Sequence, residues 1–221
     1  MRTGVESVIT VRPEKLSAML GASQQEKETV EMNARRPLAC VAYFLTAVIA
    51  IAFAAPALAA EPADEPVMLV ARPALRDRIY GATILIAKPL GNGGHMGFIV
   101  NKPTPVTLGK LFPDHGPSQK VTDPVYLGGP VKTEVLFVLV QGRDSPGSGA
   151  MQLTPDLHLV VERALVDRII EDGAGRARFF AGTVLWAPGE LRDEIDKGFW
   201  YVHDADTSLM HRAGVETPAN A

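Results

Sequence analysis

Cysteine is nearly missing: the 221-residue chain has one, Cys40, far from the C-terminal two thirds. That excludes a disulfide framework, a thiolate metal site and a cysteine nucleophile from everything downstream. Runs of basic residues are also missing. From Glu61 to Ala221 there are 16 Lys and Arg against 20 Asp and Glu, a formal charge of −4. Phosphate backbones are held by clustered Lys and Arg, so nucleic acid is not an expected partner. None of the five histidines, His95, His115, His158, His203 and His211, has a second histidine at metal-ligating helical spacing. Gly147-Ser148-Gly149 lacks the two-residue offset of a nucleophile elbow. No metal and no cofactor is expected, and no catalytic residue is assigned.

What the chain does have is one long apolar run. Arg35-Arg36 is followed by an uncharged stretch from Pro37 to Ala60, with its apolar centre at Val41–Phe53. It closes on Ala57-Leu58-Ala59-Ala60, small residues of the kind a signal peptidase reads, with Pro56 breaking the helix just before them. Residues 32–60 therefore read as a signal peptide cut beside Ala59 or Ala60, followed by the polar Glu61–Pro66. The run is also long enough to span a bilayer, which takes roughly 20 residues, so an uncleaved anchor is the alternative. Residues 1–31 have mixed charge and little pattern, and Met32-Asn-Ala-Arg-Arg resembles a natural start. They read as a non-native or disordered extension. The expected location is the periplasm or the medium. The alternatives are the inner membrane, touched only through an uncleaved run, or the cytoplasm.

Residues 61–206 read as one domain, with 207–221 as a tail. Strands are expected at Val67–Ala71, Ala82–Ala87, Gly97–Asn101, Val125–Leu127, Val135–Val140, Arg178–Trp186 and Trp200–His203, with shorter ones at Met151–Leu153 and Leu157–Val160. Gly91-Asn-Gly-Gly94 turns the second strand into the third as a hairpin. Helical turns are expected at Thr107–Phe112, Val161–Glu171 and Glu190–Lys197, each stopped or opened by Gly, Pro or a capping residue. Strands come first as hairpins and alternate with helices only late, which points to a mixed sheet and an α+β class.

Four blocks, in order, resemble a known family: Val67–Asp77, Gly94–Pro103, Val125–Val131, and Phe180–Leu191 with Glu194 and Trp200. The chain is similar in these to the YqgE/AlgH family, whose fold is a mixed α+β domain with a sheet curled towards a barrel. Arg72 stands where the family usually has Met, Gly94-His95 for Gly-Ala, Thr183-Val184-Leu185 for Tyr-Ala-Gly, and Glu190 for Gln. The resemblance implies a largely unassigned function, a cytoplasmic habit that the apolar run contradicts, and a transcriptional-regulator label carried by one member.

Binding candidates are Asp77, Asn101, Lys102, Gly128, Gly129 and Trp186. Asn101-Lys102 ends a buried strand and faces either a cleft or the following turn. Asp77 offers a carboxylate to a site or caps its own turn. Gly128-Gly129-Pro130 forms an anion-binding nest or a plain tight turn. Trp186 lines a pocket or packs the core. A non-enzymatic binding or accessory protein of the bacterial envelope, with an unknown protein or small-molecule partner, is the leading expectation. An enzyme built on Asp77, Asn101, Lys102 and the Gly-Gly-Pro turn is the alternative.

Overall fold

The computed structural model describes residues 8–11 and 65–207. They belong to one compact unit, residues 1–22 with 62–221. The expected signal peptide at 32–60 and the tail beyond Thr207 lie outside the described residues.

Among these residues the chain runs β1 (Val67–Ala71), β2 (Ile84–Pro89), β3 (His95–Ile99), β4 (Pro103–Thr107), α1 (Leu108–Leu111), a 3-10 turn (Gly116–Lys120), β5 (Pro124–Leu127), β6 (Val131–Gln141), β7 (Met151–Thr154), β8 (Leu157–Val160), α2 (Arg163–Glu171), β9 (Ala177–Trp186), α3 (Glu190–Asp196) and β10 (Trp200–Asp204). The sheet order is β10-β1-β2-β3-β9-β6-β8-β7, with β5 on β9 and β4 on β5. Every pairing is antiparallel except β5 with β9, so the sheet is mixed and the class is α+β, as the element order implied.

Strand β9 organises this topology. Its first half pairs with β6 on one side (Phe180 opposite Phe137) and with β5 on the other (Phe180 opposite Tyr126). Its second half pairs with β3, Trp186 opposite His95. Gly182 sits between the halves at φ 77°, a left-handed conformation that favours glycine. Nine of its ten residues are buried, which a strand sandwiched by apolar layers on both faces requires.

The sheet curls into a half-barrel around an inner apolar layer. One half contributes Ile86 and Phe98, the other Phe137, Leu139 and Phe180, with Phe98 5.4 Å from Phe137 between ring centroids. Helices α1 and α2 cover one outer face through Leu108, Leu111, Leu165 and Ile170. Helix α3 covers another through Leu191, above Leu69, Leu85 and Ile99. The period-3.6 pattern of α2 places Leu165, Val166 and Ile170 inward and leaves an exposed i,i+4 pair, Arg163 with Asp167.

Three features depart from the sequence reading. Pro103–Thr107 is a strand that the sequence reading did not include; among the described residues β4 pairs only with β5, an edge position that tolerates its two prolines. Residues 8–11, expected to lie outside the fold, pack into it: Ile9 and Val11 are buried and pair through backbone bonds with Glu134 and Leu136 of β6. Thr207, expected to open the tail, is buried and donates to Asp156 Oδ2 over 2.6 Å.

Candidate functional site

Three of the six candidates converge. Asp77 lies exposed within the connector between β1 and β2, and its Oδ1 accepts the N–H groups of Ile79 (2.7 Å) and Tyr80 (2.8 Å), closing an Asx turn. Asn101, just past β3, donates through Nδ2 to the Ala82 carbonyl (3.0 Å) and accepts from the Ile84 N–H at Oδ1 (2.9 Å). Lys102 Nζ donates to the carbonyls of Ile79 and Arg78, the latter at 3.1 Å. All three therefore fasten the backbone between Arg78 and Ile84.

Burial lowers the Lys102 ammonium below its ordinary pKa, and the nearby Asp77 carboxylate partly opposes that shift. Two of the three Lys102 N–H donors are committed to carbonyls, so the group acts as a strut for the loop. Asn101 supplies both donor and acceptor to backbone, the turn-tying role weighed against a cleft role above.

Gly128 joins this region through backbone alone. Leu127 N–H donates to the Lys102 carbonyl and Ile99 N–H to the Gly128 carbonyl, both at 2.9 Å. Both glycines press against β9. A Cβ on Gly128 would stand 2.3 Å from the Gly182 oxygen, and one on Gly129 would stand 2.3 Å from the Thr183 carbonyl. The Gly-Gly-Pro segment is thus a close crossing of backbones, and the Gly128 N–H is spent on the Ala181 carbonyl.

Trp186 lies apart from these residues, at the other end of β3. It belongs to a second polar cluster that sequence reasoning missed. The indole N–H groups of Trp186 and Trp200 both donate to Oε2 of Glu194, at 3.0 and 2.8 Å. Buried indoles need an acceptor, and Glu194 in the second half of α3 supplies one. Small residues make the room: Ala71 and Ala87 floor this layer, and a Cβ on Gly97 would meet the Trp186 ring at 2.8 Å. Glu190 holds the turn before α3, its carboxylate accepting the Ala187 N–H at 2.8 Å. Two tryptophans flanking a helix that bears an inward glutamate were the available sequence signal.

Tyr80 bridges the two clusters. Its ring meets Trp200 edge-on, centroids 6.3 Å apart. Burial raises its pKa, and the carboxylates of Glu194, Asp77 and Glu190 push it further. Arg72, where the resemblance expects Met, lies 4.3 Å above the Tyr201 ring and donates to the Trp200 carbonyl at 3.3 Å.

Two cavities, of about 520 and 100 Å³, lie elsewhere. They are bordered by Phe112, His115 and Arg163 near α1 and α2, and by none of the six candidates. Among the described residues no group of three or more His, Cys, Asp or Glu is placed to hold a metal, and no helix is long and apolar enough to cross a membrane.

Known proteins bear on this geometry. Residues 68–218 match the family model described as AlgH-like. A "UPF0301 protein" of Saccharophagus degradans is 33% identical over 153 residues, covering 67% of this chain and 74% of its own. A "UPF0301 protein" of Streptomyces coelicolor is 31% identical over 145 residues, covering 63% of this chain and 74% of its own. The solution structure of the AlgH protein from Pseudomonas aeruginosa superposes with a TM-score of 0.55 at 24% identity, over 66% of this chain and 79% of that one. A crystal structure of a Corynebacterium diphtheriae protein superposes at 0.57 and 22% identity, over 71% and 84%. Sequence blocks, curled mixed sheet and family match agree: the chain is a member of the AlgH-like family.

Proposed function

We propose that this protein is a non-enzymatic binding or accessory domain of the bacterial envelope. The observation that carries the reading is how Asp77, Asn101 and Lys102 use their polar atoms. Each spends them on the backbone of residues 78–84, where they stiffen a loop. Glu194 is likewise occupied by two indoles. A catalytic group must instead meet its substrate at hydrogen-bond distance. Export is supported by the run from Arg35 to Ala60, basic first, then apolar, then small.

The test is fractionation of cells making the chain with a C-terminal tag, followed by reading the N-terminus of the mature product. A periplasmic product beginning at Ala60 or Glu61 is expected. A full-length product confined to the cytoplasm overturns the envelope reading.

One observation favours an enzyme instead: Lys102, with its lowered pKa, lies beside Asp77 and one loop away from the raised Tyr80. In that case Lys102→Met would abolish an activity while the fold persists. In the binding reading its effect is confined to loop stability.

A further inference from the structure

The loop between α1 and β5 carries a set of polar groups that includes none of the six candidates. Ser118, on the 3-10 turn, is fully buried, and its Oγ lies 2.7 Å from His115 Nδ1. Among the described residues the hydroxyl has no other acceptor, so its hydrogen goes to Nδ1 and the imidazole carries its own hydrogen on Nε2. The ring is thereby held in one tautomer with a donor to spare. Gln119 stiffens the same loop, its Nε2 donating towards the carbonyls of Gly109, Phe112 and Pro113 at 3.0, 3.3 and 3.1 Å. A loop fixed in this way can hold polar groups ready for a ligand without first being ordered by it.

Both cavities near α1 and α2 lie against this loop. Phe112, His115 and Arg163 border each of them, Asp114 borders the larger and Asp167 the smaller. The larger, at about 520 Å³, falls within the roughly 300–1,000 Å³ of small-molecule sites. Arg163, which opens α2, meets Asp167 only through Nε, at 3.9 Å, and its two terminal nitrogens have no protein partner among the described residues. The Asp114 carboxylate and His115 Nε2 have none either. Residues 9–11 form part of the walls, but every charged group at the cavities belongs to the loop or to α2.

The charges select the ligand. One guanidinium faces the cavities together with two carboxylates, Asp114 and Asp167. A simple anion would meet uncompensated carboxylates, and a simple cation would meet the guanidinium. A molecule bearing both signs matches the set. We infer that this pocket binds a small zwitterion with an apolar body, a free amino acid or a short peptide. Its carboxylate accepts from Arg163 and from the His115 Nε2–H, its ammonium donates to Asp114, and its apolar part lies on Leu111 and Phe112. The inference rests on the binding reading of this domain and is independent of the envelope location.

The test is calorimetric titration of the full chain with four probes. Leucine and the dipeptide Leu-Leu are the zwitterions; 4-methylpentanoate and 3-methylbutylamine carry one charge each on a similar apolar body. Saturable binding of at least one zwitterion is expected, roughly tenfold or more tighter than either single-charge probe. Leucine against Leu-Leu tells a free amino acid from a peptide. Arg163→Gln and Asp114→Asn change exposed side chains, should keep the native circular dichroism, and should each weaken that binding about tenfold. Neither zwitterion binding below about 10 mM overturns the pocket, as does a single-charge probe binding equally well or binding unchanged in both variants. Should a variant not fold, the four probes on the wild-type chain decide. Cleavage of Leu-Leu during the titration would overturn the non-enzymatic reading and leave the pocket in place.

Discussion

Trp200 donates its indole N–H to Glu194 Oε2 over 2.8 Å, and that same oxygen already accepts the indole of Trp186. One carboxylate oxygen thus satisfies two indoles that are 5% and 3% exposed. Replacing Glu194 by Leu leaves both donors unpaired, at about 1–3 kcal/mol for each buried group. Glu194→Gln keeps an acceptor and should lose clearly less. Trp200→Ala should cost ~3–5 kcal/mol, as for other large buried aromatics. Urea unfolding at pH 7 reads all three, and near-ultraviolet circular dichroism reports the tryptophan environment.

A methyl group at residue 182 should be among the most damaging small changes in this chain. Gly182 has φ 77°, and a Cβ there would stand 2.3 Å from the Gly129 oxygen, a backbone atom that cannot swing away. Left-handed strain alone costs of order 1–2 kcal/mol, and the clash adds to it. Gly182→Ala is expected to give little folded protein. Gly91→Ala is the control, because a Cβ there meets nothing within 4 Å. Thermal melts of the two variants side by side decide the point; equal melting temperatures would contradict the backbone crossing.

Alkaline pH should separate Lys102 from Tyr80. The Lys102 pKa is lowered from 10.5 by burial, so between its folded value and 10.5 the unfolded chain binds more protons. Stability from this group therefore rises with pH across that window. Tyr80 is raised from 10.0, chiefly by burial, so above pH 10 the unfolded chain loses its proton first and stability falls. Lys102→Met should flatten the rise, and Tyr80→Phe should delay the fall. Urea midpoints from pH 7 to 11 show both slopes.

Acid reports on a different corner. Asp156 lies below its ordinary 3.8, chiefly because Thr207 donates to it, with Thr154 adding a second bond. The stability this gives is present above pH 3.8 and is lost as pH falls through the lower folded value. Thr207→Val should move the midpoint of acid unfolding to higher pH, with little change near neutrality beyond the lost hydrogen bond. Circular dichroism between pH 2 and 7 follows it.

Periodicity made much of this fold legible. The Gly91–Gly94 turn between apolar runs gave the β2–β3 hairpin, and the spacing of Leu165, Ile169 and Ile170 gave α2 within two residues of its start. β4 was hidden because proline lowers any strand expectation, and only the edge position, a tertiary fact, permits it. Val8–Val11 was hidden for a related reason: four alternating residues are too few to register until β6 is there to receive them. At the candidate site, Asp77, Asn101 and Lys102 were recognisable as polar residues at strand ends. That they meet across one loop depends on pairings 17 to 24 residues apart, which spacing does not encode. Glu194 stood out in the sequence only as part of the fourth family block, and only the folded chain brings two indoles to it.

Because β9 serves both halves of the half-barrel, neither half has a complete edge of its own. Pulling β3 away exposes Val184 and Trp186, and pulling β6 away exposes Phe179 and Ala181, all on the same ten residues. The domain is built like two pages on one spine and has no seam along which to open. The amides of Phe180 and Ala181 should therefore exchange with solvent only at the rate of whole-domain unfolding, and the sheet should melt as one cooperative unit.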